Sequence, residues 1–213
     1  MFWFRSKAVI SERKLNDSQR VCGLCVSGKS EMIRYMMKGR RDNSVLIGFT
    51  RHNAAIITCR KEGLNGSIKG IGFIHKKEYL RDTLQKMRRE LTEEYSPMKA
   101  AKFLLNEIYI EEKVDFGKFI TLELAKKHTW KNLINSKEKR ATILFFTPPS
   151  TSYEVRCRVE IHENDEVWEY ANSLHDVFHR PRIKRKWENT PAYLFKIERI
   201  YDNSEDKMGT RIF

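Results

Sequence analysis

Two overlapping patterns near the amino end bring together residue types that do chemistry. Gly23-Leu24-Cys25-Val26-Ser27-Gly28-Lys29-Ser30 spells a phosphate-binding loop. In such a loop backbone N–H groups cradle phosphates, Lys29 reaches the β- and γ-phosphates, and Ser30 holds magnesium. Gly28, Lys29 and Ser30 are therefore a candidate Mg-NTP site. The setting argues the other way. A working phosphate loop follows a buried parallel strand, but Asp17-Ser18-Gln19-Arg20 precede this one. No apolar strand ending in Asp stands ready to hold magnesium from the far side. The overlapping Cys22-Gly23-Leu24-Cys25 is a C-x-x-C, a spacing at which two thiolates share one zinc ion. Cys22 and Cys25 would then need two more ligands, with His52 and Cys59 as the candidates. Without a second C-x-x-C, two ordinary thiols are the simpler account.

Further along, His175 and His179 stand four residues apart with Asp176 between them. On a helix this spacing puts both imidazoles on one face, as a metal site requires. The stretch departs from H-E-x-x-H, and a cationic His179 would suit a helix C-terminus, so a surface role is the simpler reading. No Ser/His/Asp triad or catalytic carboxylate pair is assignable from spacing. Glu160, Glu163, Asp165 and Glu166 read as charges at a helix start.

The strongest signal is cationic. Lys and Arg number 41 against 28 Asp and Glu, a net charge of +13 that attracts polyanions. The charge is segregated: +7 over residues 1–41, +5 over 121–159, −6 over 160–179 and +4 over 180–190. Three basic segments interleave with aromatics. The first holds Arg34, Lys38, Arg40 and Arg41 beside Tyr35. The second holds Lys126, Lys127, Thr129, Trp130 and Lys131. The third holds Arg182, Lys184, Arg185, Lys186 and Trp187. Cations fix phosphates and aromatics stack on bases, so these segments predict a nucleic-acid backbone, RNA or DNA, as the main partner. An anionic membrane surface is the other partner such a face suits. That would fit a structural protein of the viral matrix or assembly type.

Stepwise patterning places these residues on elements. Phe2–Ile10, Val45–Phe49, Ala54–Cys59 and Ile68–Ile74 read as strands, with a turn at Gly63, Asn65 and Gly66. A short helix is expected from Glu31 to Lys38, with Ser30 as its cap. Leu80, Leu84, Met87, Leu91 and Tyr95 recur every three or four residues and predict a helix over 77–95. Ser96-Pro97 then starts a second helix with Met98, Ala101, Leu105 and Ile108 on one side. Phe119–Leu124, Ala141–Thr147, Tyr153–Ile161 and Ala192–Tyr201 read as strands. Helices are expected over Thr129–Ser136 and Glu166–His179. The fold class that follows is α+β: a largely antiparallel sheet or barrel, a helical hairpin insertion at about 77–112 and a later helix at about 166–179. Residues 1–213 are expected to form one domain, with 77–117 as a helical insertion.

From Phe119 onward the order is strand, a Lys/Thr-rich helix start, strand, alternating strand, helix, strand. That order resembles the carboxy-terminal half of flavin-binding split-barrel proteins of the pyridoxamine-phosphate-oxidase type; the amino-terminal half does not match. The resemblance implies a phosphorylated cofactor of the FMN kind, with Lys127, Thr129 and Lys131 at the positions that hold its phosphate. Zinc, FMN and Mg-NTP are thus the three cofactors the chain suggests. No stretch resembles a signal peptide or approaches the ~18 apolar residues of a membrane span. The expected location is intracellular, cytoplasmic or nuclear, with reduced thiols.

Overall fold

A computed structural model describes Ser30, Ile33, Arg34, Met37 and Lys38, and then residues 52–213 except 62, 148, 149 and 181–184. The expected strands Phe2–Ile10 and Val45–Phe49 lie outside the described residues. So do Cys22, Cys25, Gly28, Lys29, Arg40, Arg41, Arg182 and Lys184.

Seven strands form one antiparallel sheet, in the order β2-β1-β4-β5-β6-β3 with β7 added to β6. They are β1 (Asn53–Arg60), β2 (Gly63–Gly70), β3 (Lys118–Leu122), β4 (Arg140–Thr147), β5 (Thr151–His162), β6 (Ala192–Asp202) and β7 (Thr210–Arg211). Just past β2, Gly72 exchanges both backbone hydrogen bonds with Ile120 of β3, at 2.8 and 2.9 Å. This bridge joins the two ends of the six-strand path, so the sheet closes on itself as a barrel. The α+β class with an antiparallel barrel is what the strand patterns predict.

Alternation explains the barrel's inside. Val155, Cys157 and Val159 of β5 are buried, and Arg156 and Arg158 between them are exposed. They join Ile56, Phe73, Phe119, Ile143, Phe145 and Phe195 in one core cluster. β3 and the start of β6 lack alternation because both of their faces are covered. Phe119 and Phe195 face the first cluster. Ile120, Leu122 and Leu194 face a second, shared with the helices.

The helices are α1 (Lys77–Thr92), α2 (Pro97–Phe103), α3 (His128–Ile134) and α4 (Glu166–His179). Leu80, Leu84 and Met87 of α1 are buried in the second cluster with Tyr170, Ala171 and Val177 of α4. Three acids of 160–179 pair with cations at the surface. Glu166 holds Arg81 at 2.7 Å, Glu169 holds Arg88 at 2.5 Å, and Glu160 holds Lys196 at 2.6 Å. These surface pairs link α4 to α1 and β5 to β6. Asp165 caps α4, accepting from the Trp168 N–H at 3.0 Å.

Three local expectations need correction. α1 stops at Thr92, three residues before Tyr95, which is exposed. The second helix buries Ala100, Leu104 and Ile108 instead of Met98, Ala101 and Leu105. Its last turn widens into a π-helical turn, Leu104–Ile108, that rotates the buried stripe. Gly63, Asn65 and Gly66 lie within β2, because eight register pairs with β1 outweigh their turn preference. The hairpin instead turns between Arg60 and Gly63, where Gly63 has φ 115°. Beyond Asp202 a further short strand, β7, pairs with β6.

Candidate functional site

A cavity of about 590 Å³ lies between the seam that closes the barrel and helix α4. One wall is Ile68 to Gly72 with Ile120, Thr121 and Leu122. The facing wall is Leu174, His175, Phe178 and His179. Ile33 and Tyr109 contribute from the side, and His52 and Asn53 stand where β1 begins. The lining is mostly apolar with a few polar groups, the usual make-up of a cofactor or small-molecule site.

The barrel wall is fixed by Glu123, which is only 2% exposed. Its Oε2 accepts from Lys69 Nζ at 2.9 Å and from the Tyr193 hydroxyl at 3.0 Å. Its Oε1 accepts from the N–H groups of Ala125 and Lys126, at 2.9 and 2.8 Å. Burial alone would raise the carboxyl pKa. Lys69 and the two N–H groups outweigh it and hold the group below its ordinary value. The bent segment leaves the cavity lining at Leu124 and Ala125. It then passes through Lys126 in the left-handed region, φ 48°, into α3.

The helix wall is fixed by Asp176. Oδ1 accepts from His175 Nδ1 at 2.9 Å and from Arg185 Nε and Nη2 at 2.9 and 2.7 Å. Oδ2 accepts from Trp187 Nε1 at 2.8 Å. Here too burial opposes ionisation, and His175, Trp187 and Arg185 together overcome it, so the pKa falls. Asn172 extends the network, accepting from Arg185 at 3.2 Å and from the Thr190 hydroxyl at 2.7 Å. The effect is to lace the segment 185–190 onto α4.

The predicted site residues fall into distinct environments. Lys127, Lys131, Lys186, Arg34 and Lys38 are exposed. Lys126 lies over the Trp130 ring at 5.1 Å, and Trp130 stacks on Tyr193 at 6.5 Å. Thr129 is buried and shares a 2.9 Å hydrogen bond with Ser67, so its hydroxyl already has a partner. Arg185 and Trp187 are held by Asp176. Ser30 lies within a helical stretch instead of before it. His179 stands at the C-terminal end of α4, where partial burial, and then His175 and Arg185, push its pKa below the ordinary value. Sequence reasoning found His175 and His179 by their spacing, but missed Glu123 and the glycine-flanked wall at Ile71. Only barrel closure places Ile71 and its flanking glycines beside α4, and Glu123 against Lys69.

No family model matches the sequence, and no curated protein matches it. Solved structures resemble the fold. The crystal structure of HupZ from Group A Streptococcus is 14% identical over 72% of this chain and 86% of that chain, with a TM-score of 0.44. A Listeria innocua protein assigned as a pyridoxamine 5'-phosphate oxidase is 8% identical over 74% and 93%, with a TM-score of 0.43. An F420 reductase is 12% identical over 70% and 89%, with a TM-score of 0.42.

The structure corrects the reading of these basic, aromatic-bearing segments as RNA- or DNA-binding surfaces. Four residues that carried that reading (Thr129, Trp130, Arg185 and Trp187) are turned toward internal partners. Among the described residues no helix is long and apolar enough to cross a membrane.

Proposed function

We propose that this chain binds a phosphorylated flavin-type cofactor in the cavity between the barrel seam and α4. The observation that carries the reading is the cavity itself. Its volume lies within the roughly 300–1,000 Å³ of cofactor sites. Ile71, Leu122, Leu174 and Phe178 offer a planar ring an apolar slot. Gly70 and Gly72 keep side chains off the barrel wall. A Cβ at Gly72 would be in ordinary contact with Ile120 Cγ2 at 3.4 Å and Leu174 Cδ2 at 3.7 Å, so α4 comes close to the wall at this point.

For the phosphate, Lys127 and Lys131 are the fitting cations. They follow the cavity-lining Ala125 in the chain. Both are exposed, and neither has an ion-pair partner among the described residues. Lys69 is a poorer candidate because Glu123 already holds it. When bound, a flavin supplies hydride or electron transfer at its ring. The chain's part is to hold the ring in an apolar slot, to fix the phosphate, and to place His175 and His179 beside the slot.

Titration of flavin-free protein with FMN, followed by quenching of flavin fluorescence, tests the proposal. Saturable quenching by FMN is expected, with riboflavin, which lacks the phosphate, at least ~10-fold weaker, since a charged hydrogen bond is worth about 1.5–3 kcal/mol. Leu174→Arg should abolish binding. No quenching, or binding indifferent to Leu174→Arg, would overturn the assignment.

A further inference from the structure

The two imidazoles on the cavity's helix wall point to a second kind of ligand. His175 and His179 project one turn apart from the 14-residue helix α4, and both line the cavity. Their ring centroids are 4.7 Å apart. A metal about 2.1 Å from one nitrogen of each ring sits roughly 3.2 Å from each centroid. Two ligating rings at right-angled to tetrahedral geometry then have centroids on the order of 4.5–5.2 Å apart. The observed separation falls within that window.

Asp176 settles which nitrogen is available. Its carboxylate is nearly buried and pinned by Arg185 and Trp187, and it accepts from His175 Nδ1. With the Asp176 carboxylate at Nδ1, Nε2 is the ring nitrogen left to face a ligand. A carboxylate fixing the far nitrogen of a metal-ligating imidazole is the usual supporting arrangement. His179 is exposed at the cavity mouth, so an ion can reach it from solvent.

We propose that His175 and His179 form a divalent transition-metal site at the mouth of the cavity, with Asp176 as the residue that positions His175. Imidazole donors select zinc, copper, nickel or cobalt over magnesium or calcium. Among the described residues no third protein ligand closes on the pair. Water, or a molecule bound in the cavity, would complete the coordination. The site does not depend on what else fills the cavity.

The test is a titration of the untagged full chain with Co²⁺ alone, without flavin, followed by its visible absorption. It is made in a Cys22→Ser/Cys25→Ser background, so that the C-x-x-C cannot supply ligands. One equivalent of Co²⁺ is expected to bind. Asp176→Asn should weaken binding by about 10–100-fold, as loss of a carboxylate support does. His179→Ala, an exposed and structurally mild change, should remove it, and His175→Ala should do the same. Absence of uptake by the parent, or uptake unchanged in both histidine variants, would overturn the site. Failure of FMN to bind in the separate flavin titration would leave this result standing.

Discussion

Replacing Asp176 by Ala should destabilise the fold severely, and the structure gives the size of the effect. The carboxylate side chain is 9% exposed and its Arg185 partner 17%. Four hydrogen bonds of 2.7–2.9 Å converge on its two oxygens. Removing it leaves a guanidinium, an indole N–H and an imidazole N–H without their acceptor in a poorly solvated place. Breaking one side of a buried ion pair costs about 3–5 kcal/mol. That is a large share of the ~5–15 kcal/mol that holds a domain folded. Urea unfolding followed by circular dichroism should show a midpoint lower by on the order of 1–2 M at an m-value of about 2–3 kcal/mol/M. Adding Arg185→Met should recover part of the loss, because the orphaned charge goes too. The pH dependence has a fixed sign. The folded pKa of Asp176 lies below its unfolded value near ~3.9. Its contribution is therefore full above that unfolded value and fades as pH falls through the folded one. The gap between wild type and Asp176→Ala should narrow in acid. A loss below ~1 kcal/mol at neutral pH, or no narrowing in acid, would refute the view that this network laces 185–190 onto α4.

Other outcomes follow from the same contacts. Glu123→Ala should lose about 3–5 kcal/mol in thermal or urea unfolding, because Lys69 is left 14% exposed without its partner. A Lys127→Ala/Lys131→Ala double variant should bind FMN at least ~10-fold more weakly in the fluorescence titration with unchanged unfolding, since both are surface cations. Met87→Ala should cost ~2–5 kcal/mol by urea unfolding, because Met87 is fully buried. Met98→Ala, at an exposed site, should stay within ~0.5 kcal/mol. In the Cys22→Ser/Cys25→Ser background, a thiol reagent should label one cysteine in native protein and two in urea. Cys59 is exposed, whereas burial pushes the Cys157 thiol pKa well up and shields its sulfur.

Local pattern alone determined a good deal about this protein. The alternation of Val155, Cys157 and Val159 with Arg156 and Arg158 is a two-residue period that only a half-buried strand satisfies. The stripe of Leu80, Leu84 and Met87, and the cap at Asp165, are equally local, and both helices lie where the residues place them. Such signals act over one or two turns, so they are written in consecutive residues. What only the tertiary structure decided is which residues meet. Gly72 bonds Ile120 across 48 positions, and that one bridge closes the barrel, sets Lys69 and Thr121 in the cavity wall opposite α4, and brings Glu123 to Lys69. The cations of 126–131 and 185–187 read alike in the sequence. Yet Lys127 and Lys131 face solvent, whereas Arg185 is consumed by Asp176, nine positions away. Charge counts cannot separate these cases, because whether a cation is free for a ligand depends on the distance to its nearest acid. Chain folding fixes that distance; composition does not.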